Sequence, residues 1–189
     1  MIPAETLLDA YSQGIFPMAD ESGEISWYEA DPRTILEVQT FHPPRDLRRI
    51  LNRRCFDVYF DRSFERVMRA CAQREFTWIS EEIIQSYVNL HRLGFAHSVE
   101  SWQNGKLVGG LYGVALHGAF FGESMFFRVS HASKVALAAL AEHLKKRGYV
   151  LHDAQMMTST LKLFGAIEIS REEYLARLHM ALRKKVSFY

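Results

Sequence analysis

A chain of 189 residues with 48% hydrophobic content can bury one sizeable core, so a single ordinary domain with a small appended lobe is expected. Twenty-three Lys and Arg against 22 Asp and Glu leave a net charge of +1, which excludes chain-wide polyanion binding and confines any nucleic-acid contact to a local patch. Met1-Ile2-Pro3-Ala4-Glu5 lacks a basic and apolar leader, and no apolar run approaches the ~18 residues of a membrane span, so a cytoplasmic location without membrane association is expected. Cys55 and Cys71 match neither a metal spacing nor a redox pair and read as reduced structural thiols.

All five prolines precede residue 45, and residues 1–45 read as a small irregular lobe ahead of a larger domain over 46–189. Ala4 to Tyr11 suits a short helix stopped by Gly14 and Pro17, and Glu24 to Tyr28 and Thr34 to Val38 are strand candidates around the turn Asp31-Pro32. A helix follows Pro44 from Arg45 to Asn52, and Asp57 to Asp61 is extended. Ser63 to Cys71, capped by Asp61 or Ser63, carries Phe64, Val67, Met68 and Cys71 at helical spacing. The next helix starts at Ser80, stripes Ile83, Ile84, Tyr87, Val88 and His91, and ends at Gly94.

The period then changes to two. His97 to Trp102 and Lys106 to Leu116 form a hairpin across Asn104-Gly105, and Ala119 to Phe126 adds a third strand. Ser130 is expected to cap a helix from Ala132 to Lys146 that stops at Gly148, followed by a strand over Tyr149 to Asp153. A short helix near Ser159 to Phe164, an extended Ala166 to Ile169, and a last helix opened by a Ser170/Glu173 capping box complete the chain. A strand meander, then a helix and a returning strand, predicts an α/β fold of the acyl-CoA N-acyltransferase-like type, a mixed sheet flanked by helices.

Leu151-His152-Asp153-Ala154-Gln155 places Asp153 and Gln155 two residues apart on one strand face, where the acid can hold the Gln amide nitrogen and leave the Gln oxygen facing outward. Such a pair also serves as a turn or cap device, and His152, on the other face, reads as a satisfied core or surface histidine. Glu123 lies in the apolar strand Gly122 to Phe127, where a buried charge calls for a cationic partner. Arg45 to Arg54 holds five Arg and one Asp, which suits either a solvated helix face or a phosphate track. No HExxH, Cys/His ligand spacing or Gly-x-Ser-x-Gly elbow is present, so neither a metal nor a covalent serine nucleophile is expected.

Taken in order, Tyr11-Ser12-Gln13-Gly14-Ile15-Phe16-Pro17, Asp31-Pro32-Arg33, Thr77-Trp78-Ile79, Gly122-Glu123-Ser124-Met125-Phe126, Asp153-Ala154-Gln155 and Phe164-Gly165-Ala166-Ile167-Glu168-Ile169 resemble the leucyl/phenylalanyl-tRNA–protein transferase family. The resemblance runs from Tyr11 to about Leu182. It implies transfer of Leu or Phe, and Met less well, from tRNA to proteins beginning with Arg or Lys, marking them for N-end-rule degradation. It further implies a catalytic set of Asp153, Gln155 and Glu123, and an aminoacyl pocket of Leu111, Phe120, Met125, Leu137 and Leu140. Trp78 would stack on the terminal adenine, with Met18 standing where many relatives carry Trp, and Arg48, Arg49, Arg53 and Arg54 would meet the acceptor stem. Aminolysis of an activated ester needs no cofactor, and a monomer is expected. The rival readings are an acyl-CoA N-acyltransferase, disfavoured by His131 where a pyrophosphate loop needs Gly, and an RNA-binding module without catalysis.

Overall fold

The computed structural model describes residues 1–189, and its elements follow the predicted order closely. Helix α1 (Ala4–Ser12) leads into a hairpin of β1 (Phe16–Ala19) and β2 (Ile25–Tyr28), then β3 (Arg33–Leu36) and α2 (Arg45–Asn52). Strand β4 (Asp57–Phe60) and helices α3 (Phe64–Ala72) and α4 (Glu81–Arg92) precede the meander β5 (Ala96–Gln103), β6 (Lys106–Leu116) and β7 (Ala119–Phe127). Helix α5 (Ala132–Arg147), β8 (Leu151–Gln155), α6 (Ser159–Leu163), β9 (Ile167–Ile169) and α7 (Arg171–Leu182) follow.

Seven strands form one sheet in the order β4-β5-β6-β7-β8-β3-β9. Every pairing is antiparallel except β7 with β8, whose parallel arrangement follows from the crossover through α5. One face carries α1, α3, α4 and α7 over a core that includes Leu7, Val67, Tyr87, Tyr112 and Leu178. The other carries α2, α5 and α6 over Leu47, Leu111, Phe120, Leu140 and Leu161. No helix is long and apolar enough to cross a membrane.

Several local expectations are corrected. Helix α1 stops ahead of Gly14 and Pro17 as expected, but Pro17 then lies in the unforeseen strand β1, where a two-stranded ribbon has free edges that tolerate a missing N–H. Strand β3 starts at Arg33 and lies inside the main sheet between β8 and β9, so of residues 1–45 only the β1–β2 pair forms a separate sheet. Ser130 does not cap α5; the cap position is His131, left-handed at φ 70° and making no side-chain cap bond. Ser63 likewise makes no side-chain cap, and its backbone N–H donates to the buried Glu100 at 2.6 Å. The α7 box is half formed, because Ser170 Oγ accepts from the Glu173 N–H while the Glu173 carboxylate turns to Arg177. Strand β8 runs two residues later than Tyr149 to Asp153, which carries Gln155 into the strand end.

The start of α5 rests directly on β6. A Cβ at Gly109 would stand 2.5 Å from Ala132 Cβ and 2.9 Å from the Ser133 nitrogen, so the glycine allows a contact that no other residue permits. Gly109→Ala should therefore destabilise the fold by about 1 to 3 kcal/mol, read by urea denaturation, because the helix must lift or the sheet must bend.

Candidate active site

Strands β7 and β8 pair only through Ala119 with Leu151, Phe120 with His152 and Phe121 with Asp153. Beyond that point β7 continues to Phe127 along β6 and β8 to Gln155 along β3 without pairing to each other, so the two strands open into a V. A cavity of about 410 Å³ fills the opening. Its size suits a small-molecule group. Two local irregularities shape it. Gly113 pairs with Gly122 and Tyr112 with Ser124, which leaves Glu123 as the extra residue of a β-bulge, re-aimed away from the regular pleat. At the end of β8, Gln155 adopts φ 60°, a left-handed conformation that breaks the strand alternation.

Gln155 Nε2 donates to Glu123 Oε1 at 3.0 Å, and Tyr11 Oη donates to the same oxygen at 2.7 Å. Tyr87 Oη lies 3.5 Å from the other oxygen and is hydrogen-bonded to Tyr11. No cation pairs with Glu123, contrary to expectation; neutral donors from α1 and α4 take that place. Asp153 does not hold the Gln155 side chain either. It accepts the Gln155 backbone N–H at 2.9 Å, Arg33 Nε at 2.9 Å, Arg33 Nη2 at 2.6 Å and Tyr174 Oη at 2.7 Å. The acid that orients the Gln amide is thus Glu123, and Asp153 fixes the backbone bearing it. Gln155 lines the cavity, and its Oε1 accepts no hydrogen bond from the protein.

Arg33 and Asp153 are both fully buried. Arg33 Nη1 donates to the Gly14 carbonyl at 2.9 Å, and its guanidinium stacks over Tyr174. Gly14 has φ +77°, and a Cβ there would sit 2.7 Å from Tyr174 Cε1, so the turn after α1 admits only glycine. Arg33, Tyr11, Tyr87 and Tyr174 lie outside the sequence-derived site. Their strands and helices are remote in sequence, and their only signal was membership of Tyr11, Gly14 and Arg33 in the family-like motifs.

Leu111, Met125, Leu137 and Leu140 line the apolar wall as expected, and Ala154, Leu161 and His152 join them. Phe120 does not line it. Its ring is fully buried, edge-on to His152 and stacked on Phe188, at the closed end of the V. Met18 and Trp78 come together at the mouth, tied by the Ala19 N–H donating to the Trp78 carbonyl at 3.1 Å. Helix α2 packs through Leu47 and leaves Arg48, Arg49, Arg53 and Arg54 exposed. They lie outside the cavity lining and enter no ion pair. No three His, Cys, Asp or Glu side chains cluster in a metal-holding arrangement.

Burial pushes the Glu123 carboxyl up to about 7 from an ordinary 4.5, against the opposing hydrogen bond from Tyr11 and helped by the nearby Asp153 charge. A raised carboxyl contributes stability that is complete below its unfolded pKa and is lost as pH rises through the folded one. Glu123→Gln keeps an acceptor for Tyr11 and Gln155 but carries no titration. Its stability relative to wild type should therefore climb between pH 5 and pH 8 by on the order of 2 kcal/mol, seen in denaturant melts at the two pH values.

Comparisons of the sequence with known proteins place the chain in a family. The family model described as leucyl/phenylalanyl-tRNA protein transferase matches residues 35–179, and that of the family's N-terminal domain matches residues 1–31. The leucyl/phenylalanyl-tRNA–protein transferase of Chlorobaculum tepidum is 52% identical over the full length of both chains. That of Gloeobacter violaceus is 52% identical over 97% of this chain and 96% of its own. Among solved structures, a GCN5-related glucosamine N-acetyltransferase region of a fungal multi-domain β-N-acetylglucosaminidase superposes with a TM-score of 0.50 at 12% identity. The superposition covers 88% of this chain and 22% of that one, and supports the acyltransferase-like fold alone. With the core and amino-terminal models both matched and half the residues shared with full-length relatives, the chain belongs to the leucyl/phenylalanyl-tRNA–protein transferase family.

Proposed function

We propose that the protein moves Leu or Phe, and Met less well, from aminoacyl-tRNA to the amino-terminal Arg or Lys of acceptor proteins in the cytoplasm, marking them for N-end-rule degradation. As a family member it is an aminoacyl-tRNA-dependent protein aminoacyltransferase, an enzyme whose substrates are a charged tRNA and a protein. The observation that carries the finer reading is the V-shaped cavity, with a fixed Glu123–Gln155 pair on one side and the leucine-rich wall on the other.

The ester carbonyl would sit in the opening between β7 and β8, with the acyl side chain against Leu111, Met125, Leu137 and Leu140. The adenine would lie at the mouth between Trp78 and Met18, a stacking contact worth about 1 to 3 kcal/mol. A protein α-amine, with a reference pKa of about 7.7 to 8.0, is partly neutral near pH 7. Its N–H would donate to Gln155 Oε1, which aims the nitrogen lone pair at the carbonyl carbon. The new C–N bond forms, the ester C–O bond breaks, and the amine proton passes to the departing ribose oxygen, helped by the vicinal hydroxyl. Glu123, in contact with the reacting region, holds the amide of Gln155; Asp153 and Arg33 are positioning residues. The start of α5 is covered by Gly109 of β6, which disfavours pyrophosphate binding there and with it acyl-CoA as donor.

The test offers labelled Leu-tRNA, Phe-tRNA or acetyl-CoA with peptides beginning with Arg, Lys, Asp or Glu. Label should pass from the two tRNAs to Arg and Lys peptides, and transfer from acetyl-CoA alone would overturn the assignment. Gln155→Ala should lower kcat by about 10² to 10⁴-fold with little change in melting temperature, since no structural hydrogen bond within the buried Arg33–Asp153 cluster depends on its side chain. Near-normal turnover would remove Gln155 from the mechanism.

The unpaired arginines of α2 should bind phosphates by counterion release. For duplex nucleic acid log K falls with log salt by about 0.9 per phosphate neutralised, so replacing Arg48 and Arg49 with Ala should flatten the slope by about 1 to 2 and raise the donor KM. An unchanged slope would place the tRNA contact elsewhere.

A further inference from the structure

His152 was expected to be a satisfied histidine on the face away from the chemistry, and it is not. Its side chain is buried at 2% exposure, borders the cavity, and makes no hydrogen bond through either ring nitrogen; Nδ1 is wholly without a partner. The Nε2 edge lies beside Gly122, 3.3 Å from where a Cβ would stand, and Gly122 itself is on the cavity wall. Because His152 pairs across the sheet with Phe120, at the closed end of the V, its ring forms part of the floor on the α5 side. Phe120 meets it edge-on at 5.7 Å and fixes its plane.

A buried polar group without a partner is costly and is retained where something else completes it. Burial pulls the His152 imidazole down to about 4, so it is neutral near pH 7 and offers one donor and one acceptor. Leu111, Leu137 and Leu140 line the same cavity, alongside the hydroxyl residues Ser133, Thr158 and Thr160. An acyl group whose ester lies near Glu123 and Gln155 points its far end toward this floor. Nδ1 is sealed within the protein, and Nε2, beside Gly122 of the cavity wall, is the atom a ligand can reach; a purely hydrocarbon end strips water from Nε2 and returns nothing, whereas a hydroxyl at the tip of an aromatic side chain replaces the lost bond.

We propose that His152 is a specificity-determining residue that adapts the floor of the aminoacyl pocket to a donor side chain ending in a hydrogen-bonding group, and that a tyrosyl group is accepted alongside the apolar ones. This rests on the assignment of the cavity to the aminoacyl side chain.

The test uses tRNA of one sequence acylated with Phe, Leu or Tyr, an acceptor peptide beginning with Arg, and the wild-type, His152→Leu and His152→Gln proteins. Kd values are measured in parallel for non-hydrolysable amide-linked phenylalanyl- and tyrosyl-adenosine. Wild type should use Tyr within about 10-fold of Phe in kcat/KM. In His152→Leu the Tyr-to-Phe ratio should fall by about 10-fold or more, in transfer and in binding, whatever the change in Phe transfer itself; His152→Gln, which retains a hydrogen-bonding tip, should hold the ratio within about threefold. Equal ratios in wild type and His152→Leu, or tyrosyl transfer and binding more than about 100-fold below phenylalanyl in wild type, would overturn the proposal. Absence of transfer from every donor, with the binding ratio still dependent on His152, would count against the transferase assignment and leave the role of His152 standing.

Discussion

The buried contact between Arg33 and Asp153 is the constraint on which the site depends. With both side chains removed from water, their attraction offsets desolvation only because nearly every polar atom is matched: the carboxylate accepts from Arg33, Tyr174 and the Gln155 backbone, and Arg33 also reaches the Gly14 carbonyl. Such a cluster adds little net stability over an apolar one of the same volume. What it supplies is a single arrangement. It draws together the turn after α1, strands β3 and β8 and helix α7, and sets the left-handed residue that carries the Gln155 amide to the cavity. Removing either ion would strand the other in the core, a loss of about 3 to 5 kcal/mol, so both substitutions would confuse a catalytic defect with an unfolding one.

Around that anchor the sheet provides a site that spans its two faces. Parallel pairing of β7 and β8 stops after Phe121 and Asp153, and the bulge at Glu123 turns a carboxylate into the opening. On the side of α1 and α4 the opening is polar, with Glu123 held by Tyr11 and Gln155. On the side of α5 it is apolar, with Leu137 and Leu140 one helical turn apart facing Leu111. A group threaded through the V therefore meets hydrogen-bonding atoms at its reactive end and hydrocarbon around its side chain. The absence of a cation beside Glu123 matters in the same way: neutral tyrosines leave its carboxyl high enough to change charge near neutrality, whereas an arginine there would have kept it ionised throughout.

Charge is distributed with similar economy. The chain is nearly neutral overall, yet α2 presents arginines that no carboxylate quenches, while Arg69 and Arg177 elsewhere on the surface are paired within their own helices. Unpaired cations on an exposed helix remain available to phosphate, and pairing the others confines the attraction to one patch.

The sequence by itself determined the order of elements, because helical stripes such as Ile83-Ile84-Tyr87-Val88 and the Asn104-Gly105 hairpin turn are local, periodic signals set by which side chains must be buried. It also carried the family through motifs spread over the chain, and only through that resemblance the wall residues Leu111, Met125, Leu137 and Leu140. The tertiary structure decided the partners. That Asp153 meets Arg33, 120 residues away, and that Glu123 rather than Asp153 holds the Gln155 side chain, follow from strand order, a bulge and one left-handed residue. None of these is encoded by local spacing. The same reason moved β3 into the main sheet, took Phe120 out of the cavity and brought His152 to its floor: alternation tells which face a residue takes, and only the pairing and divergence of β7 and β8 tell what that face meets.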